Sequence, residues 1–261
     1  MGDVRADVCI CHSVEEIDKY LTDKIAEYNS DDVLCVFDVD DTLITLDHSL
    51  VQYLDKYGAV YKKLLKKYHR VTDMDLRRCL PTYVKSTELG TSEWLKSLPY
   101  KKIALTASPT GKCADGTLMT EYRYQELKER GITFETTFDT QFIELKALTC
   151  KGQHPTYHKG ILFSLQKLTG ETSKGTVLCT FLKKIGYTPK CVVLIDDRQI
   201  NLDTVQTELE THHPNTKFIG ILYTGTKKDE PSDVVTEDDF RKGAEELFKK
   251  CYRKFNIPEP E

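Results

Sequence analysis

The chain has 261 residues, with 37 lysines and arginines against 41 aspartates and glutamates, for a formal net charge of −4 at pH 7. A pI near 6.0 lacks the basic signature of a nucleic-acid-binding domain, and no apolar run approaches the roughly 20 residues of a membrane span. The length suits one α/β core with an insertion, enough to bury an apolar interior.

The amino terminus, Met1 to Asp7, lacks the charged-then-apolar pattern of a signal peptide. The nine cysteines are odd in number and scattered, and Cys9-Ile10-Cys11, the one close pair, does not have zinc-site spacing. Cys35, Cys179 and Cys191 fall in apolar segments where thiols act as small hydrophobes. Reduced cysteines and a cytoplasmic location are therefore expected, with a secreted or periplasmic one left open should a leader have been removed.

Ser13 and Glu16 form a capping-box pattern ahead of a helix whose apolar face is Val14, Ile17, Leu21, Ile25 and Tyr28. Asn29 to Asp32 breaks it. Val33 to Val36 then reads as a buried strand running into Phe37-Asp38-Val39-Asp40-Asp41-Thr42-Leu43. Strand alternation puts Asp38 and Asp40 on one side, at the carboxyl end where open α/β sheets bind ligands. Adjacent buried acids are costly unless a cation or a shared proton compensates. The pair thus points to a hard metal or a nucleophile with an acid/base partner. The competing reading is a polar turn, since Asp-Asp-Thr is also good turn and cap chemistry.

From His48 to Ser97 the pattern is helical, through Leu50, Tyr53, Leu54, Tyr57, Val60, Tyr61, Leu64 and Leu65, with no strand expected before Ile103. Lys62, Lys63, Lys66, Lys67, His69, Arg70, Arg77 and Arg78 outnumber Asp73 and Asp75 there. Such a run reads as a solvated helix face or, more sharply, as an attractor for an anionic substrate. Tyr57, Tyr61 and Tyr68 sit at helical spacing and are expected to pack against the core.

Lys102 to Ser108 reads as a strand ending at Thr106, and Gly111-Lys112 lacks the full P-loop pattern. A helix over Thr120 to Glu129 and a strand over Ile132 to Phe138 are expected next. Phe142 to Leu165 reads as a β-hairpin with a Gly/Pro turn, either a flap over the site or an addition to the sheet edge. His154 and His158 read as surface residues. Val177 to Leu182 is helix-like, and Cys191 to Ile195 is a second continuous apolar strand, ending in Asp196-Asp197 with Asn201 just beyond. Two strands delivering carboxylates to one rim would build an oxygen site for Mg²⁺. Lys217 to Tyr223 is a further strand, and Thr236 with Asp239 caps a final helix to Lys254.

In order, Asp38-x-Asp40-x-Thr42, Thr106, Lys174 and Asp196-Asp197 resemble the four motifs of the haloacid dehalogenase-like (HAD) superfamily of phosphohydrolases, across about Val33 to Tyr223. Lys159 rivals Lys174 for the third motif; Lys174 is preferred because a helix leads from it into the last motif strand. Asp41 departs from the family, which often has Gly there. The Asp-x-Asp-Asp-Thr-Leu run is also similar to that of a poorly characterised bacterial HAD group, some of whose members act on phosphotyrosine.

The resemblance implies an α/β Rossmann-like core, mainly parallel sheet flanked by helices, over residues 1–47 and 98–261, with a small helical type 1 cap over 48–97. It implies an Mg²⁺-dependent phosphomonoesterase. Asp38 would attack phosphorus to form an aspartyl-phosphate, and Asp40 would protonate the leaving oxygen and then deprotonate water. Asp38, the Asp40 carbonyl and Asp196 would hold the metal, with Asp197 behind them. Thr106 and Lys174 would bind the phosphoryl oxygens, and Thr42 would tie the loop. The expected partner is a phosphorylated substrate, first a small phosphomonoester, second a phosphotyrosine side chain, with no nucleic acid and no membrane span. A catalytically quiet HAD-fold module that binds a partner is the alternative from a different class. Asp40 argues against a dehalogenase, which needs no acid for a halide; the absence of a span removes the ion pumps, and mutases stay a minor option.

Overall fold

A computed structural model describes residues 7–48, 53–80, 83–165, 170–226 and 235–260. The expected apolar position Leu50 and the amino-terminal residues 1–6 lie outside them.

The sheet grows outward from the two apolar runs. β2 (Val33–Phe37) and β9 (Cys191–Asp196) are buried at every residue, as continuous β-branched and aliphatic sequence requires of a strand covered on both faces. They pair in parallel, Val33 opposite Cys191 and Phe37 opposite Ile195. β10 (Lys217–Tyr223) continues the sheet beyond β9 and β5 (Lys101–Thr106) beyond β2, both in parallel. An edge strand, β1 (Asp7–Cys11), pairs in parallel with β10. At five residues it is too short to announce itself in the sequence.

The other edge is built from β8 (Ile161–Phe163), β7 (Thr156–His158) and β6 (Phe142–Glu144). β8 runs parallel to β5, while β7 is antiparallel to both β8 and β6. The final order is β1-β10-β9-β2-β5-β8-β7-β6. The hairpin expected over 142–165 therefore extends the sheet; its strands find hydrogen-bonding partners at the open edge of β5, which decides against a flap.

The helices cover this sheet. α1 (Val14–Ile25) buries Ile17, Leu21 and Ile25, and the Ser13 hydroxyl accepts the Glu16 N–H. The return bond of the capping box goes to the His12 N–H instead, which donates to Glu16 Oε2 at 2.7 Å. α6 (Lys174–Ile185) and α7 (Gln199–His212) bury Val177, Leu178, Phe181 and Leu182, and Leu202, Val205 and Leu209, in the same apolar cluster as Leu34, Val36, Val192 and Leu194. α5 (Met119–Lys128) matches the helix expected there. The strand expected over 132–138 does not form: Ile132 and Phe134 are buried without ladder pairing, and Phe134 stacks on Phe37 at 6.0 Å between ring centroids. Apolarity marked the burial correctly but could not specify backbone pairing. The result is an α/β, Rossmann-like fold with a mainly parallel sheet.

Two compact units divide the described residues. The larger holds those within 1–45, 86–110 and 120–226, and the smaller those within 46–85, 111–119 and 227–261. The expected division, 48–97 against the rest, differs at both ends. α8 (Glu237–Lys254) joins the smaller unit, burying Phe240, Ala244, Phe248, Cys251 and Tyr252 in one core with Tyr53, Leu64, Tyr68 and Leu76. These come from α2 (Leu54–Lys67), α3 (Asp73–Arg78) and their flanks. Tyr68 stacks on Phe248 at 5.0 Å, so the tyrosines at helical spacing pack within this separate core. Conversely α4 (Thr91–Ser97) belongs to the larger unit, where Trp94 meets Phe37 edge-on at 5.8 Å. An amphipathic face states that it will be buried, not against which partner. The segment 48–97 is also not wholly helical: β4 (Val84–Ser86) pairs with β3 (Ile44–Leu46) as a two-stranded sheet. Among the described residues no helix is long and apolar enough to cross a membrane.

Candidate active site

Asp38 follows β2 directly and Asp196 ends β9, so two neighbouring parallel strands set two carboxylates at one carboxyl-terminal rim. The Asp38 N–H donates to the Ile195 carbonyl at 2.9 Å, carrying the ladder to the first acid. Asp38 and Asp196 are both buried. Oxygens of Asp38, Asp196 and Asp197 lie within 4.8 Å of one another, a grouping that could hold a metal ion.

Lys174 lies between the first two. Its ammonium donates to Asp38 Oδ1 at 2.5 Å and to Asp196 Oδ2 at 2.6 Å, and the side chain is 2 % exposed. Ser173 caps α6, its hydroxyl accepting the Thr176 N–H, so Lys174 is the first residue of the helix. That end of the dipole disfavours a cation; the two carboxylates override it, and the lysine is pushed above its usual range despite its burial. Gly175 keeps α6 close to α7, because a methyl there would overlap the Thr204 carbonyl. Lys159, the rival, pairs instead with Glu121 at 3.0 Å. His158 also pairs with Glu121, and the His154 ring meets the Leu148 carbonyl.

Three carboxylates face this single ammonium. Burial, then Asp196, pushes Asp38 well above the ordinary carboxylate range against the pull of Lys174. Asp197 is pushed up to about 6 by burial first, then by Asp196 and Asp41. Asp196 is held from behind: its Oδ1 accepts the Arg198 N–H at 3.0 Å and the Asn201 side-chain amide at 2.8 Å. Asn201 was noted in the sequence without a role; here it orients Asp196.

The remaining expected residues divide. Thr106 ends β5 at the same rim, its hydroxyl donating to Ser108 Oγ and accepting the Ser108 N–H, both at 3.2 Å; among the described residues no hydrogen bond joins it to the carboxylates. Thr42 is buried with no hydrogen-bond partner for its hydroxyl among the described residues; its carbonyl accepts the Thr87 hydroxyl at 2.8 Å. Asp41 has φ of 60°, the left-handed region that Asp tolerates better than most residues. Its carboxylate accepts the Thr45 hydroxyl at 2.7 Å. The Asp40 side chain is not part of the three-carboxylate group. Arg123 of α5 holds both its oxygens, Nη1 to Oδ1 at 3.1 Å and Nη2 to Oδ2 at 3.0 Å.

Sequence reasoning missed Arg123 and Ser108. Arg123 with Glu126 reads as an ordinary i,i+3 surface pair, and nothing local marks it as buried.

The donor set fits a hard divalent cation: oxygen ligands only, more negative charge than Lys174 offsets, and carboxylates that are driven towards protonation without a further cation. No solved structure matches the chain. A stretch of 82 residues is 30 % identical to the "Uncharacterized protein RT0286" of Rickettsia typhi, covering 31 % of this chain and 26 % of that protein. The chain thus spans about a quarter of the length of the curated relative it matches. A family model described as "Protein of unknown function (DUF2608)" matches residues 11–250. The chain belongs to that family.

Proposed function

We propose that this protein is an Mg²⁺-dependent phosphomonoester hydrolase of HAD type, working through an aspartyl-phosphate on Asp38, with small phosphomonoesters as the substrate class. The observation that carries it is the Lys174 bridge: one buried ammonium spans the acids at the ends of two adjacent parallel strands. A lysine buried there favours the ionised carboxylate, opposing the burial and the neighbouring acid that push it towards protonation. A polar turn closing a strand needs no such partner.

In this reading Asp38 attacks phosphorus in line, the bond to the leaving oxygen breaks, and Asp40 supplies that oxygen's proton. Water then attacks the phosphorus of the acyl phosphate while Asp40 takes its proton, releasing phosphate and restoring the Asp38 carboxylate. Lys174 and Thr106 bind phosphoryl oxygens. Asp38, Asp196 and the Asp40 carbonyl would hold Mg²⁺, with Asp197 beside them; when bound, the ion neutralises charge on the phosphoryl oxygens.

The deciding experiment is hydrolysis of a panel of sugar phosphates, nucleotides and phosphotyrosine peptides, with and without Mg²⁺, by the wild type and by Asp38→Asn. Mg²⁺-dependent phosphate release that Asp38→Asn abolishes is expected. Release indifferent to Asp38 would remove the nucleophile assignment, and no release from any substrate would support the binding-module alternative.

A further inference from the structure

Burying an arginine requires a counter-charge, and Arg123, 2 % exposed, already has one: Glu126, equally buried, accepts Nη1 at 2.6 Å on the same helix. The bond to the half-exposed Asp40 is therefore not needed to neutralise the guanidinium. Glu126 and the backbone of α5 instead fix the guanidinium plane, and the same fork reaches two residues of the rim. Nη1 and Nη2 clamp the Asp40 carboxylate, and Nη2 also donates to Ser108 Oγ at 2.7 Å. Ser108 in turn hydrogen-bonds Thr106.

We infer that Arg123 is a positioning residue: its planar fork sets the Asp40 side chain in the orientation that leaving-group protonation needs. The assignment rests on the phosphatase reading above. A side chain as short as that of Asp40 has few rotamers, and a bidentate arginine selects one of them. Lysine would keep the charge but present a point donor, so charge and shape can be separated.

The test measures kcat for an alkyl phosphate and for an activated aryl phosphate in four proteins: wild type, Arg123→Lys, Asp40→Asn and the double variant. Arg123→Lys should lower kcat on the alkyl phosphate on the order of 10²-fold, the scale of a misplaced general acid, and change the aryl phosphate only a few-fold. In the Asp40→Asn background the same substitution should have little further effect, since it acts through a group already removed. Thermal unfolding is followed in parallel. Should Arg123→Lys not fold, Arg123→Met with Glu126→Met removes the fork while leaving no buried charge unpaired, Asp40 being half exposed, and the same two substrates are compared.

Equal losses on both substrates, or independent losses in the double variant, would overturn the assignment and leave the phosphatase reading standing. Faster turnover in Arg123→Lys would also overturn it, identifying the fork as a clamp that withholds Asp40. If the wild type shows no Asp38-dependent hydrolysis, the phosphatase reading falls and this assignment with it.

Discussion

Two side chains carry opposite expectations. Replacing Lys174 by methionine strands Asp38 and Asp196 as uncompensated buried carboxylates; a loss of about 3–5 kcal/mol is expected in chelator, readable by urea unfolding. Asp197 should behave the other way. Its carboxyl titrates near 6 in the folded chain against 3.8 when unperturbed, so between those values the folded state holds a proton that the unfolded state releases. Its contribution to stability is full below 3.8 and is lost as pH rises through about 6. In chelator, Asp197→Asn should therefore melt above the wild type near neutral pH, with the gap closing towards pH 3.8. A gap that does not change with pH would show that the carboxylates are not crowded as drawn. At this scale the acids were legible because Asp38, Asp40, Asp196 and Asp197 are announced by the apolar strands before them. Arg123 was not, because its partner Asp40 lies 83 residues away, and no local pattern records that distance.

Among the elements, the helix that carries Lys174 is placed by the contact of its second residue with α7. Gly175→Ala would force a methyl onto the backbone carbonyl of Thr204, which has no rotamer to yield. A loss on the order of 1–3 kcal/mol, together with reduced phosphate release as Lys174 shifts, is expected. Gly58 of α2 is the control: it is helical and a methyl there meets nothing within 4 Å. Gly58→Ala should raise stability by roughly 0.5–1 kcal/mol. If both substitutions have the same sign, packing at Gly175 is not what positions α6. The sequence disclosed the first and last of these helices through their caps: Ser13 and Thr236 each accept the N–H three residues on. The short strands Asp7–Cys11 and Val84–Ser86 escaped it, since a strand of three to five residues is defined by its neighbour rather than by its own period.

For the molecule as a whole, binding of a cation only to the folded three-carboxylate group should appear as mass-action stabilisation. At a hundredfold excess over the dissociation constant this amounts to about 2.7 kcal/mol, roughly 5–10 °C for a chain of this size. Trp94, the single tryptophan, packs on Phe37 of β2 and reports the melting of the larger unit. Its transition should rise with Mg²⁺ in the wild type and stay fixed in Asp196→Ala. An equal rise in that variant would remove the carboxylates from the metal assignment.

The sequence by itself determined the parallel sheet's central strands, the acids at their ends and the caps that open the first and last helices, because burial, strand alternation and capping are written in residues a few positions apart. Tertiary structure alone decided that α8 closes the smaller unit's core, that the hairpin extends the sheet, and that Lys174 rather than Lys159 bridges Asp38 and Asp196. It also put both Asp40 oxygens on Arg123. Each of these is a choice among partners of the same chemistry: several amphipathic faces, two lysine-glycine pairs, many acids for one arginine. Local sequence sets what a group needs, and only the packing of distant segments settles which group supplies it.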